Sequence, residues 1–172
     1  MNGLAAAMAA IGAAALAAGC ASDGAVEGDG SASASAAAAA AAAQSPKQLV
    51  AARQSAFHLS GAAMGNMKAA IDRGDDPRSQ AYAARGVARW ARALATTFPG
   101  STSGITPSRA KAEIWADKGD FEAKAAAYAE AAEALAAAAA GGDKAAFASA
   151  HSATAATCKA CHDLYQAPPA QR

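Results

Sequence analysis

Thr157-Cys158-Lys159-Ala160-Cys161-His162-Asp163-Leu164-Tyr165, closed off by the pair Pro168-Pro169, is the stretch around which this 172-residue chain has to be read. Two thiols three positions apart with a histidine directly after the second form the haem c attachment signature. Each thiol can add across one haem vinyl group to give a thioether, and the adjacent imidazole can then reach the iron as axial ligand. Two other chemistries compete for the same residues. A redox Cys-x-x-Cys does not need the histidine and is favoured at a helix N-terminus, where the dipole supports thiolate; here the pair falls near the end of a helical pattern. A zinc site would want further ligands, and the sequence holds no second Cys/His pair. The residues favour one covalently bound haem c per chain, with zinc and dithiol chemistry left as alternatives.

Working back from that stretch, Asp143 caps a helix on which Phe147, His151, Thr154, Cys158, Cys161 and Tyr165 share one face, and Pro168 terminates it. Before it, a helix beginning near Asp117 or Asp120 carries Phe121, Ala125, Tyr128, Ala132 and Leu135 as one stripe and ends at Gly141-Gly142. Pro107 opens a short stretch with Glu113-Ile114-Trp115, preceded by a polar loop over 101–106. Asp76-Pro77 starts another helix with Ala83, Val87, Trp90 and Leu94 facing inward, stopped by Pro99-Gly100. The first helix opens at Ser45-Pro46-Lys47-Gln48, a cap, a proline and a capping-box glutamine. It runs to about Arg73 with Val50, Phe57, Met64, Met67 and Ile71 inward, and Gly74 ends it. Four amphipathic helices with mostly short connections predict an all-α, antiparallel up-down four-helix bundle. Alanine dominates and aromatics are only 5% of residues, so the core lacks large side chains and an apolar plate such as haem would fill it.

The N-terminal part has a different composition. Met1 to Gly19 carries no charge and an apolar stretch too short for a membrane span, which reads as an export signal. Leu16-Ala17-Ala18-Gly19-Cys20 resembles a bacterial lipobox with Cys20 as the lipid-bearing residue; an ordinary signal peptide cut before Gln44 is the alternative. Residues 21–45 are Ala, Ser and Gly with only Asp23, Glu27 and Asp29 charged, a flexible tether that includes the alanine run Ala36–Ala43. The expected organisation is therefore a signal over 1–20, a tether over 21–45, the bundle over 46–166 and a tail over 167–172. The expected location is periplasmic, tethered to a membrane as a lipoprotein.

Residues 46–166 resemble cytochrome c′, the class II c-type cytochromes, whose haem signature lies in the last of four helices. Arg53-Gln54-Ser55-Ala56-Phe57 looks like the family's first-helix motif, and Glu113-Ile114-Trp115 its Pro-Glu-Ile-Trp stretch, with Ala112 in place of proline. The resemblance implies that Cys158 and Cys161 hold the haem and that His162 ligates its iron. It implies that Arg53 and Gln54 contact the propionates, with Arg109 or its neighbour Ser108 as a further haem contact. Phe57 would face the vacant side of the iron. A phenyl group cannot ligate, so the expected iron is five-coordinate and high-spin, and exogenous ligands are hindered. His58 is expected outside the pocket, about 100° around the helix from Phe57. Met64 and His151 are expected to lie two turns from where a sixth ligand would be needed. Many family members have Lys or Arg four residues after the ligating histidine, whereas this chain has Gln166.

Between Pro77 and Ala112 there is no acidic residue, while Arg78, Arg85, Arg89 and Arg92 recur. That pattern is either a solvated helix surface or a docking face for an acidic redox partner or anionic headgroups. The family implies a possible homodimer, although an arginine-rich second helix opposes it across a two-fold axis. Nucleic acid is not an expected partner. The expected role is electron transfer, binding of a small gas such as nitric oxide, or both; the alternative is a six-coordinate, low-spin electron carrier. No general acid/base pair marks the chain as an enzyme.

Overall fold

The computed structural model describes residues 44–169. The signal-like segment, Cys20, nearly all of the tether and the last three residues lie outside the described residues.

Helix α1 spans Pro46–Arg73 and begins as its sequence requires: the Ser45 hydroxyl accepts from the Gln48 N–H while the Gln48 side chain accepts from the Ser45 N–H. It ends at Gly74, in the left-handed conformation at φ 72°. The expected second helix is divided. A 3-10 turn over Pro77–Gln80 precedes α2, Ala81–Ala93, and a second 3-10 turn follows over Leu94–Thr97. The break has a local cause. The hydroxyls of Thr96 and Thr97 donate back to the carbonyls of Ala93 and Leu94 at 2.7 Å each, competing with the helical backbone. The polar loop expected over 101–106 is likewise not all loop, since Gly100–Thr102 forms a 3-10 turn. Short α3, Glu113–Ala116, leads to α4, Lys118–Gly141, and α5, Lys144–Tyr165, the last two capped by Asp117 and Asp143. Gly142 ends α4 at φ 80°, and a Cβ there would strike the Arg78 guanidinium.

The four long helices α1, α2, α4 and α5 form the bundle, and among the described residues there is no strand beyond one isolated antiparallel bridge, Ala110 to Gln166. The α4 stripe is buried as expected, through Phe121, Ala125, Tyr128, Ala132 and Leu135. On α2 the buried face is rotated: Ala84, Val87, Ala88 and Ala91 are buried, whereas Ala83 and Trp90 are half-buried. In α1 the core takes Val50, Met67 and Ala70, and also Arg53, while Phe57, Met64 and Ile71 are half-buried. Alanine lines the closely packed seams of α4 with α2 and α5. Helix α1 packs more sparsely on α5, and a cavity opens between α1, α4 and α5.

Segment 108–111 closes one end. The Ala167 N–H donates to the Arg109 carbonyl at 2.8 Å, the Lys111 N–H to the Tyr165 carbonyl at 3.0 Å, and the Lys111 ammonium to the Leu164 carbonyl at 2.8 Å. This strap ties the loop before α3 to the end of the helix that carries the paired cysteines.

Candidate functional site

The cavity has a volume of about 580 Å³, within the range of cofactor pockets. Its wall includes every residue the sequence assigned to the haem: Arg53, Gln54 and Phe57 from α1, Ser108 and Arg109 from the strap, and Cys158, Cys161 and His162 from α5. Three positions on a helix put both cysteines on the inward face, where they are free and half-buried. Burial pushes both thiols up, and each is a poor thiolate at neutral pH, the opposite of what dithiol exchange requires. Among the described residues no three His, Cys, Asp or Glu side chains gather as a metal site, so zinc would lack its remaining ligands.

His162 follows the second cysteine near the C-terminal end of α5. Partial burial, then the nearby Arg109 charge, hold its imidazole below the usual range, while Asp163 works the other way. A neutral imidazole is the form that ligates a metal. Phe57 enters the same cavity from α1, its ring centroid 6.4 Å from that of His162. It is wedged by Trp90 at 5.1 Å, edge to face, and by Phe98 at 6.5 Å. At Phe57 the α1 side of the cavity thus presents hydrocarbon to the thiols and imidazole of α5.

Arg53 is only 2% exposed. Its guanidinium donates to the Thr97 carbonyl at 3.0 Å, to Thr102 Oγ1 at 2.9 Å and to Ser108 Oγ at 3.5 Å, and lies 4.1 Å from the centroid of Phe98. It is therefore no solvated helix residue. Burial lowers its pKa, and among the described residues no carboxylate pairs with it. A buried cation with only neutral partners on a cavity wall is incomplete, because buried charges are paired. Gln54 lies beside it, donating to the Pro107 carbonyl at 2.8 Å. Arg109, also without a carboxylate partner among the described residues, donates from Nε to the Ala167 carbonyl at 2.7 Å. Arg53, Gln54, Ser108 and Arg109 thus meet at the strap end of the cavity. Among the described residues no Asp or Glu lines the cavity. A flat apolar group carrying two carboxylates, two attachment points for thiols and a metal for an imidazole fits this donor set; haem c is such a group.

Some lining residues depart from expectation or escaped notice. His58, expected outside, is exposed yet contributes to the cavity wall; Met64 and His151 line it too, which leaves their expected distance from a sixth-ligand position untouched. His151 is buried, and its Nε2 donates to the Met64 carbonyl at 2.9 Å, which clips α1 to α5. Lys124 and Tyr165 also line the cavity; Tyr165 donates to Asp120, and Lys124 approaches the same carboxylate at 3.7 Å. Tyr165 was legible as an inward residue of α5, but nothing local in the sequence announces its partner 45 residues away. Arginines of the second helix are partly engaged: Arg92 pairs with Glu133 at 2.7 Å, and Arg78 donates to the Gly141 carbonyl at 2.8 Å. Arg85 and Arg89 are exposed.

The family model described as Cytochrome C′ matches residues 48–166. The chain is 36% identical over 126 residues to cytochrome c′ of Pararhodospirillum photometricum, covering 71% of this chain and 98% of that protein. Among solved structures, a cytochrome c′ described as having an unusual ligand-controlled dimer dissociation superimposes with a TM-score of 0.68 at 28% identity, covering 74% of this chain and all of that one. The nitric oxide complex of a point mutant of the Alcaligenes xylosoxidans protein gives 0.65 at 29% identity, over 72% of this chain and 97% of that one. With the bundle, the cavity and these matches in agreement, the chain belongs to the cytochrome c′ family.

Proposed function

We propose that this chain is an exported haem c protein that binds nitric oxide, transfers single electrons, or does both, and that it is not an enzyme. When bound, haem supplies an iron that exchanges one electron and accepts small diatomic ligands. Cys158 and Cys161 would hold the group by thioether bonds, and His162 would ligate the iron from the α5 side. Arg53, Gln54 and Arg109 would meet its carboxylates at the strap end, giving Arg53 the anionic partner it lacks among the described residues. Phe57 would cover the opposite face with a side chain that neither ligates nor transfers protons, leaving the iron five-coordinate and crowding any incoming ligand. The observation that carries this reading is one cavity with paired thiols and an imidazole on one helix, a phenyl ring opposite and, at its end, a buried arginine with no carboxylate partner among the described residues. The nitric oxide complex of a similar protein supports the gas ligand, and the ligand-controlled dimer of another supports a homodimer. An acidic redox partner remains part of the proposal through exposed Arg85 and Arg89. The periplasm as location, and a lipid on Cys20 as anchor, rest on the N-terminal sequence alone.

A second reading has one observation in its favour. His58 lines the cavity, and as a sixth ligand it would make a low-spin carrier with no open site. Haem staining after denaturing electrophoresis, followed by the ferric absorption spectrum, tests both. Retained stain with a high-spin spectrum is expected; a low-spin spectrum selects the six-coordinate carrier, and no stain removes both.

A further inference from the structure

We infer that Arg109 is the fixed positive charge that tunes the site from the histidine side, held in place by the strap between segment 109–111 and the end of α5. This rests on the haem reading above and goes beyond it, because it assigns a control of reduction potential to a residue outside the ligand set.

The strap leaves this residue little freedom. Arg109 and Ala167 exchange two hydrogen bonds: the Ala167 N–H donates to the Arg109 carbonyl at 2.8 Å, and Arg109 Nε donates to the Ala167 carbonyl at 2.7 Å. The next residues pair as the bridge Ala110–Gln166, and Lys111 is bound to Tyr165 and Leu164. Both the root and the head of the arginine are thereby tied to the chain just beyond His162. Surface arginines ordinarily spread their charge over many rotamers; this one holds it in one place.

Two of the neighbouring cations are matched by carboxylates, while Arg53 and the strap's Lys111 bond only neutral groups among the described residues. Lys159 pairs with Asp163 at 2.7 Å, and Lys124 approaches Asp120 at 3.7 Å. Gln166, which lines the same wall, is neutral. Among the described residues Arg109 has no carboxylate partner, and it lines the same cavity as His162. A cation beside a metal centre disfavours the more highly charged, oxidised state and so raises the reduction potential, and a haem carboxylate meeting Arg109 would lessen that effect without reversing its sign. Arg109 is exposed to solvent in part, and salt weakens the effect without removing it.

The test compares haem-loaded wild-type protein with Arg109→Gln, Arg109→Lys and the double variant Arg109→Gln/Gln166→Arg, with haem content and ferric/ferrous ratio read at fixed electrode potentials. Arg109→Gln should raise the ferric/ferrous ratio roughly fivefold, a midpoint about 41 mV lower at 59 mV per tenfold. Arg109→Lys, which keeps the charge, should stay near wild type. Gln166→Arg should restore the ratio in the double variant, because the bridge sets position 166 alongside the strap. An unchanged ratio in Arg109→Gln overturns the inference. So does a shift that persists in Arg109→Lys and is not corrected by Gln166→Arg, since the strap itself, not the charge, would then be responsible. Wild-type protein without haem would instead overturn the function proposed above.

Discussion

Replacing Phe57 by alanine separates the ring's packing from the role proposed for it at the iron. For stability, a fully buried Phe→Ala change costs about 3–5 kcal/mol. Phe57 is half-buried, and its aromatic neighbours are Trp90 at 5.1 Å and Phe98 at 6.5 Å, so roughly half of that range, about 2 kcal/mol, is expected from urea unfolding of the haem-loaded protein. For ligand binding, the sign is opposite. A ligand entering the face covered by Phe57 must displace a ring wedged against Trp90, and forcing atoms into a packed site costs about 1–3 kcal/mol. Removing the ring returns that cost as affinity, roughly 5- to 140-fold at 1.4 kcal/mol per tenfold. Carbon monoxide titration of the ferrous protein reads this directly, since it binds without redox change. A variant that remains folded, loses about 2 kcal/mol and binds carbon monoxide no more tightly than wild type would refute the assignment of Phe57 to the open face of the iron.

Arg53→Met tests the incomplete buried cation: the Thr97 carbonyl and Thr102 hydroxyl lose a charged donor, the desolvation cost of the cation is relieved, and a net loss of about 2 kcal/mol is expected from the urea midpoint of the haem-loaded protein. No change would mean that the hydrogen bonds only balance the burial of the charge. Tyr128 is pushed up to about 12 from the ordinary phenol value of 10.0, chiefly by burial and then by the neighbouring Cys158. A raised folded-state value means that its contribution is fully present below pH 10 and is lost as the pH climbs through about 12, about 3 kcal/mol in all. Tyr128→Phe should therefore flatten the fall of unfolding free energy across that window; an identical pH profile would contradict the burial argument.

Three of the four long helices, α1, α4 and α5, were legible because their ends are chemically explicit, whereas α2 has no side-chain cap at its start. Ser45-Pro46 with Gln48, Asp143, Gly74 and Gly142 all cap where the sequence places them. The inward face of α4 was legible for a related reason: Phe121, Tyr128 and Leu135 are large enough to fix its phase. On α2 the exposed Arg85, Arg89 and Arg92 mark the outer face, but Ala83 and Ala84 are the same residue type, and tertiary packing selects Ala84, Ala88 and Ala91 for the core. The residues on the cavity wall were legible through their motifs, but their environments were not. Arg53 reads as a helix residue aimed at an anion, whereas its burial depends on Thr97 and Thr102, 44 and 49 positions away. The strap was hidden for the same reason, since an isolated bridge leaves no periodic signal and Arg109 and Ala167 lie 58 positions apart in the chain.

The alanine seams between α4 and its neighbours make the mutational tolerance of this bundle one-sided. Ala84, Ala132 and Ala139 have no exposed surface, and each already carries the smallest side chain a helix interior accepts cheaply. Such a core gives up no rotamer freedom when it orders, so close backbone approach is gained without side-chain entropy. Truncation, the commonest way for a core to lose stability, is nearly unavailable to it. Enlargement is the exposed flank, because even one or two added methyl groups have no rotamer to retreat into and must move a helix axis. Homologous sequences that drift at these positions can do so only as whole seams, with paired changes on facing helices, and not one residue at a time.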